Sequence, residues 1–441
     1  MIASCPARAE IGVPKLQPSP TAPWYLGPAG GAGRLFVGID WAETRHRVVV
    51  MGLDGNVAYR GWIEHNTPGL RGFETLITPW KSPENVHVAI GLHDSLLLDR
   101  LLRCGVRVYG LNPKSAERAR ERYTPAGIKD DDRDAWSWAE FLRAGHQHLR
   151  PLRPASPITR ALREWTCLRE DLVQERTTQL PRLRNHLVRW HPQMLAALED
   201  LNREWSLALL EQDPTADAFA GRSRAQIDQW SRGRRLRGAT RQRIADAALF
   251  SSPTCVASRN AAHAAAVRHR VTLIRELNRR RAEVEAAQAE RVAQHPDAFI
   301  FRSLPRCGAN LVAAMLGGFG DDRQRWSGHE ELAARWGAAP ITIQSGKHRN
   351  VHRRRACDHT LHPVWIWYAF NTIQKHGCWA REDYQLSRSA GGEHYTALRC
   401  LAERWIKIAY RCWVDRVPYD EAVHQRNRTL RAQPNEAKVQ E

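Results

Sequence analysis

The order of the apolar segments between residues 34 and 111 restricts the fold of this chain most strongly. Three apolar runs come first, and Asp54-Gly55 marks a hairpin turn between the second and the third. The apolar runs Val86–Ile90 and Val106–Leu111 follow, each after a segment with helical spacing. A hairpin followed by strand–helix units predicts an α/β domain.

Acidic residues lie at the end of the first predicted strand and at the start of a later predicted helix. Asp40 ends the apolar run Leu35–Ile39, so it lies at the tip of the first predicted strand. Asp131 and Asp134 stand three residues apart where a later helix begins, and side chains at this spacing share one helix face. The three carboxylates can therefore close on one metal ion. This arrangement is the layout of an RNase H/RuvC-like nuclease core.

The charge of the chain indicates its partner. Its 441 residues include 66 Lys and Arg against 47 Asp and Glu, which gives a formal net charge of +19. Such a field attracts polyanions, and nucleic acid is the natural one, although membranes and acidic proteins also bind basic surfaces. A carboxylate cluster inside a positive field is explained by metal-assisted phosphoryl transfer, in which cations hold the phosphate backbone and carboxylates hold the metal.

Cysteine usage favours a reducing cytoplasm. The nine cysteines form no C-x-x-C pair and their number is odd, which argues against a disulfide framework and against a zinc finger. No uninterrupted apolar stretch approaches the roughly 18 residues that a membrane-spanning helix needs.

Changes in composition divide the chain into five segments. The first 33 residues are rich in Pro, Ala and Gly and lack the apolar core of a signal peptide, and Pro151 and Pro154 interrupt any helix after the α/β domain. The predicted segments are a disordered tail over residues 1–33, the α/β domain over 34–150, a coiled-coil or helical arm over 151–295, a mainly helical domain over 296–420 and a second disordered tail over 421–441.

The middle segment combines two long helical patterns with an arginine cluster. Apolar residues recur at near-helical spacing from Ile158 to Trp190, and Val271–Val292 is a second, highly charged helical stretch. This pattern predicts an antiparallel coiled coil, with Pro181 breaking or kinking its first helix. The arginine cluster between them is either a solvated face or a nucleic-acid contact. We favour the contact and assign it to Arg234, Arg235 and Arg237.

The C-terminal domain contains a serine among cations. Ser345 precedes a flexible glycine, and cations beside it would hold an anionic phosphorus centre and stabilise a serine alkoxide. From spacing alone, the segment is either a nucleophile loop or a turn that binds phosphate passively. The cations that we assign to nucleic-acid binding here are Lys347, Arg349, Arg353 and Arg354.

Four motifs stand in a recognisable order. They are Gly38–Ala42, Lys129–Ala135, Ala338–Pro340 and Gln344–Lys347. In this combination the chain resembles the DEDD insertion-sequence transposases, which are bridge-RNA-guided recombinases, over roughly residues 34–415.

This resemblance implies a function and partners. The family has a RuvC-like N-terminal domain with four acidic residues, a coiled coil that mediates assembly and a C-terminal transposase domain with a catalytic serine, whose place is taken by Ser345. It implies Mg²⁺ held by the acidic residues, a phosphoserine link to DNA, and a noncoding guide RNA that pairs with donor and target DNA. Exchange between two duplexes implies a dimer or tetramer.

One of the four acidic residues that the resemblance implies has no counterpart in this chain. The first Asp of the family falls on Asp40 and the last two fall on Asp131 and Asp134, but Gly91 takes the place of the Glu and cannot bind a metal. Asp94, one helical turn further on, can supply a carboxylate, or three carboxylates can suffice together with phosphate oxygens and water. A third interpretation is that catalysis is impaired.

A second departure lies at Arg306. The family has Pro-Gly-x-Gly where this chain has Pro305 to Gly308. Arginine tolerates positive φ poorly, so we expect a reshaped turn.

Two other functions remain open for the chain. One is a RuvC-like endonuclease that hydrolyses DNA with metal-bound water and no serine, and the other is a nucleic-acid-binding relic of a transposase.

Overall fold

The chain is described by a computed structural model over residues 33–77, 82–91, 95–111, 113–123, 130–251, 257–346, 348–376 and 378–432. It divides into two units, residues 1–154 and 155–441. Among the described residues, no helix combines the length and the apolar character that crossing a membrane requires.

The first unit contains a five-stranded mixed sheet. Its strands lie in the order β3-β2-β1-β4-β5, in which β1, β2 and β3 are antiparallel and β1, β4 and β5 are parallel. The predicted turn joins β2 to β3, and Gly55 there has a φ of +85°. The α/β prediction is confirmed. The strands are β1 (Leu35–Asp40), β2 (Arg45–Gly52), β3 (Val57–Glu64), β4 (Val86–Gly91) and β5 (Arg107–Leu111).

The part of the first unit that the structure describes has four α-helices beside this sheet. They are α1 (Thr67–Ile77), α2 (Leu96–Arg103), α3 (Pro113–Tyr123) and α4 (Asp131–Gly145). Helix α4 begins where it does because the Asp130 side chain accepts a hydrogen bond from the backbone N–H of Arg133 at 2.8 Å. It crosses β1 at Gly38, where a Cβ atom would lie only 1.9 Å from the carbonyl oxygen of Ala135. Glycine therefore permits this close approach of helix and strand.

Two long helices pack side by side at the start of the second unit. Their contacts join early residues of α5 to late residues of α11, as in Thr166 with Gln288, and later residues of α5 to earlier ones of α11, as in Arg176 with Asn278, so the helices are antiparallel. The regular side-chain packing of a coiled coil stays a prediction. The helices from α5 to α11 are α5 (Pro157–Trp190), α6 (Pro192–Ala197), α7 (Glu204–Gln212), α8 (Ala216–Ala220), α9 (Arg224–Gly233), α10 (Gly238–Leu249) and α11 (Ala257–Gln294).

Pro181 does not break the first long helix, which corrects one of the two predicted outcomes, whereas a kink at Pro181 stays a prediction. Helix α5 runs unbroken from Pro157 to Trp190. Contacts with α11 hold it on both sides of the proline, through Arg176 before it and through the ring of His186 after it. Tertiary packing of this kind can offset the backbone hydrogen bond that proline removes.

In the described residues from 298 onward, the regular elements are helices and one β-hairpin. Its core is aromatic: the ring of Phe319 lies 5.1 Å from that of Trp336 and 5.3 Å from that of Trp413. The elements are α12 (Ala298–Arg302), α13 (Ala309–Phe319), α14 (His329–Arg335), β6 (Ile341–Ser345), β7 (His348–His352), α15 (His362–Ile373), α16 (Trp379–Ser389), α17 (His394–Asp415) and α18 (Glu421–Ala432).

Residues 421–432 form helix α18, which corrects this part of the disordered tail predicted over 421–441, and the positions after 432 lie outside the described residues. The Asp420 carboxylate accepts a hydrogen bond from the backbone N–H of Ala422 at 2.8 Å and so caps the helix. The His424 ring packs 4.5 Å from that of Trp379. The sequence pattern alone is polar, and this tertiary contact is what the prediction lacked.

The backbone at Arg306 is left-handed, although arginine is unfavourable in this conformation. Arg306 has a φ of +57° and an exposed side chain.

We expect Arg306→Gly to raise the free energy of unfolding by about 0.5–1 kcal/mol, because relief of left-handed strain exceeds the added freedom of the unfolded chain. Urea unfolding followed by tryptophan fluorescence measures this change. The control Arg302→Gly, in α12, is expected to lower stability instead, and a fall in both variants would contradict the strain.

Candidate active site

Asp40 lies in a row of residues that crosses one end of the sheet. It pairs with Arg47 of β2, and Arg47 pairs with Trp62 of β3. On its other side, β4 ends at Gly91, one residue beyond Ile90, the partner of Ile39. Gly91, at which the resemblance implies a Glu, therefore lies at the strand end adjacent to Asp40, and it provides no carboxylate.

Helix α4 brings its acidic first turn to the same end of the sheet. Residues 38 and 40 face the same side of β1, and Gly38 faces α4. The helix runs against the strand, since Ala135 lies at Gly38 whereas the ring of His146, just past the helix end, lies 5.1 Å from that of Phe36. Asp40 therefore points toward the side on which α4 begins.

The carboxylates of α4 differ in their surroundings. Asp134 is buried, and its two oxygens accept hydrogen bonds from Arg120 of α3 at 3.1 and 3.2 Å. Asp132 binds Arg47 at 2.6 Å and also binds Arg60. Asp131 is exposed. Of the predicted ligands, Asp134 is thus already neutralised by a cation of the protein.

These residues do not form a ready metal site. In the parts of the chain that the structure describes, no three His, Cys, Asp or Glu side chains are grouped so that they could hold one metal ion. The donor type suits Mg²⁺, but the Arg120 guanidinium is bound to Asp134, and Gly91, at the end of the neighbouring strand, has no side chain that could bind an ion. Asp94, the substitute weighed from the sequence, lies outside the described residues.

A buried histidine holds the loop after Asp40. The backbone N–H of Ala42 donates to Nδ1 of His46 at 3.2 Å, so the ring proton is on Nε2, which lies 2.9 Å from Nδ1 of His65. Burial, and then the neighbouring His65, lowers the pKa of His46 from 6.5 to about 4. The neutral ring is thus part of the folded structure beside Asp40.

We expect acid to loosen this loop. Because the pKa of His46 is lowered on folding, its contribution to stability is complete above pH 6.5 and is lost as the pH falls toward 4. Amide hydrogen exchange in β1 and β2 should therefore accelerate between pH 6.5 and 4, after correction for intrinsic rates. His46→Gln should reduce this acceleration, whereas His148→Gln, at an exposed position, should not. Equal pH dependence in His46→Gln and in the unmodified protein would contradict this role.

Ser345 lies at the tip of the β6–β7 hairpin. It pairs with His348, so two sequence positions separate the paired strands, and the first of them, Gly346, has a positive φ of +55°, which short hairpin connections favour. Ser345, His348 and Arg349 are exposed, and Ile343 and Val351 on the strands are 56% and 57% exposed. The hairpin thus presents the serine to solvent; Lys347 lies outside the described residues.

Arginines fix the base of this hairpin. Arg399 of α17 donates to the carbonyl oxygen of Ala338 at 2.6 Å, and Arg354 donates to that of Ala339 at 3.3 Å. Arg353 lies over the ring of Tyr395, 4.9 Å from its centroid. A two-stranded hairpin is marginally stable by itself, so these contacts are needed. Arg354 therefore has a structural contact in addition to its predicted role in nucleic-acid binding.

The predicted arginine cluster lies at the turn between α9 and α10. Arg234, Arg235 and Arg237 are exposed. Arg234 stacks on Trp230 at 4.2 Å, and Arg235 has a left-handed backbone with a φ of +52°. The turn thus presents several guanidinium groups on one short segment, as a phosphate contact requires.

Two family models match this chain. One is described as a transposase, of the DEDD type of IS110, and matches residues 37–192. The other is described as the transposase IS116/IS110/IS902 family and matches residues 298–385. The first range contains Asp40, Asp131 and Asp134, and the second contains Ser345.

Three curated proteins are similar to the chain. The putative transposase y4uE of Sinorhizobium fredii is 33% identical over 205 residues, which are 46% of this chain and only 57% of that protein. The mini-circle putative transposase for IS117 of Streptomyces coelicolor is 28% identical over 398 residues, 88% of this chain and 95% of that protein. The insertion element IS900 uncharacterized 42 kDa protein of Mycobacterium paratuberculosis is 26% identical over 396 residues, 88% and 98% of the two chains.

Proposed function

Because this chain belongs to the IS110 family of transposases, we propose that it exchanges DNA strands with Ser345 as the nucleophile. The observation that carries this proposal is the exposure of Ser345 at the tip of a hairpin whose neighbouring residues are cations. A protruding two-stranded ribbon can enter a DNA groove, which brings the hydroxyl to the backbone.

The proposed reaction conserves the energy of the phosphodiester bond. The Oγ atom of Ser345 loses its proton and bonds to phosphorus, while the bond from phosphorus to one DNA oxygen breaks and that oxygen leaves as a hydroxyl. Attack by a hydroxyl of a second strand then releases the serine and joins the new strands. The bond count is unchanged at each step, so ATP is not required.

Asp40, Asp131 and Asp134 are the acidic residues of the proposed site, on a sheet that we propose to be RNase H/RuvC-like. Support comes from the strand order β3-β2-β1-β4-β5 and from the helix that begins beside Asp40. Mg²⁺ is the cofactor that the family resemblance implies. If these three aspartates are to bind Mg²⁺, Asp134 must release the Arg120 guanidinium and bind the ion in its place.

The proposed partners are donor DNA, target DNA, a noncoding guide RNA and further copies of the chain in a dimer or tetramer. Arg234, Arg235 and Arg237 support a phosphate contact because they are exposed at one turn. Phosphate contacts of this kind position a nucleic acid without specifying its sequence, which leaves recognition to base pairing. The proposed location is the bacterial cytoplasm, at the nucleoid.

A covalent-adduct assay tests this function. The purified protein is incubated with RNA transcribed from the DNA flanking its gene, paired donor and target DNA, and Mg²⁺. We expect a protein–DNA adduct that survives denaturation, and mass spectrometry should place a phosphate on the peptide that contains Ser345. Nicked DNA without an adduct would indicate a hydrolytic endonuclease, and binding without nicking would indicate a relic that has lost its chemistry.

A further inference from the structure

We propose that His348 is the general base that accepts the proton of Ser345. This inference rests on the proposed function of Ser345 and names a second residue of the same site. It follows from the register of the β6–β7 hairpin, in which Ser345 of β6 is paired with His348 of β7.

Cross-strand pairing places the two side chains together. Paired residues of antiparallel strands project from the same face, with their Cβ atoms about 4.5–5.5 Å apart. At that separation a serine hydroxyl and an imidazole nitrogen reach hydrogen-bond distance by rotation about their side-chain bonds. This pair is also the last of the β6–β7 ladder, so cross-strand pairing fixes the distance between the two backbones where the nucleophile lies.

Among the described residues of the hairpin, no other group fits this role as well. Arg349 pairs with Gln344 and therefore projects from the opposite face. His352 shares the face of His348 but pairs with Ile341 at the other end of the hairpin, so it is remote from Ser345. The segment from residue 341 to residue 355 contains no Asp or Glu. Imidazole is also the side chain most often used to move protons near neutral pH.

His348 can accept a proton in the first step of the reaction and donate it in the second. As Ser345 Oγ bonds to phosphorus, its proton passes to the ring of His348, which becomes a cation beside the pentacoordinate phosphorus. The leaving DNA oxygen takes a proton from solvent water, so the ring keeps the serine proton until the second step. In that step the attacking DNA hydroxyl gives its proton to solvent as its oxygen bonds to phosphorus, and the imidazolium returns its proton to the serine oxygen as that oxygen leaves. The same residue therefore serves as base in the first step and acid in the second.

The rate of adduct formation tests this proposal. In single-turnover reactions with the full-length protein, RNA and DNA, His348→Gln is expected to slow the adduct by about 100-fold or more, the usual scale of general-base catalysis. His352→Gln is the matched control, since it removes an imidazole from the same face of the same hairpin, and it is expected to leave the rate close to that of the unmodified protein. DNA affinity, measured in parallel, should be similar in both variants.

Two further readouts separate a base from a structural contact. The rate of the unmodified protein should fall on acidification, because a protonated imidazole accepts no proton, and His348→Gln should lose this dependence. Added imidazole should partly restore adduct formation by His348→Ala and not by Ser345→Ala. An unchanged rate and pH profile in His348→Gln would overturn the proposal while leaving Ser345 as nucleophile. The absence of any adduct in the unmodified protein would overturn the proposed function itself.

Discussion

Ser345→Ala is expected to abolish the covalent protein–DNA adduct while leaving nucleic-acid binding within about twofold. Alanine has no oxygen to attack phosphorus, so the loss should be complete and not partial. Binding should persist because the surrounding cations remain and because phosphate contacts supply most of the affinity. The measurement is a denaturing gel with labelled DNA, run beside an equilibrium binding titration at one stated salt concentration.

The fold should tolerate this substitution. Ser345 is exposed, and the contacts that anchor its hairpin lie at the base, at Ala338 and Ala339. Thr342→Ala, on the opposite face of β6, is the matched control and should form the adduct at the rate of the unmodified protein. An adduct that persists in Ser345→Ala would assign the nucleophile to another residue and would remove the basis for the role of His348.

Arg120→Gln is expected to lower the free energy of unfolding of the first unit by about 3 kcal/mol, since it leaves the Asp134 carboxylate buried without a cation. The Asp134 side chain is only 6% exposed and pairs with Arg120 at 3.1 Å. Thermal unfolding monitored by hydrogen exchange in α4 measures the change. Arg133→Gln, which breaks an exposed pair with Asp130, should cost less than about 1 kcal/mol.

The same variant shows whether Asp134 can exchange its arginine for a metal ion. We expect Mg²⁺ to raise the unfolding temperature of Arg120→Gln more than that of the unmodified protein, because the ion can compensate the buried charge. Asp134→Asn added to Arg120→Gln should remove this response and recover part of the stability. If Mg²⁺ has the same effect on both proteins, Asp134 is a structural partner of Arg120 and not a metal ligand.

Local patterns predicted the elements of the first unit well. The apolar run that ends in Asp40 and the Asp54-Gly55 turn are signals within a few residues, and the structure has a strand and a hairpin there. The acidic start of α4 was visible for the same reason, since a capping aspartate and a charged first turn mark a helix start.

Long-range contacts could not be predicted in this way. Arg120 precedes Asp134 by 14 residues in a segment with several arginines, and nothing in that segment selects it as the partner of a buried carboxylate. Helix α18 depends on the contact of His424 with Trp379 across 45 positions. His348 could have been found, because a two-residue loop at Gly346 and Lys347 would pair it with Ser345.

The exposed hairpin has a consequence for how this protein can change over generations. Its strand residues bury little apolar surface, since Ile343 and Val351 are more than half exposed, whereas the aromatic core that holds the domain lies elsewhere. Surface substitutions away from special contacts usually change stability by less than about 0.5 kcal/mol. Side chains flanking the serine can therefore vary, and new DNA contacts can arise, with little risk to folding, so this segment is an evolvable part of an otherwise constrained domain.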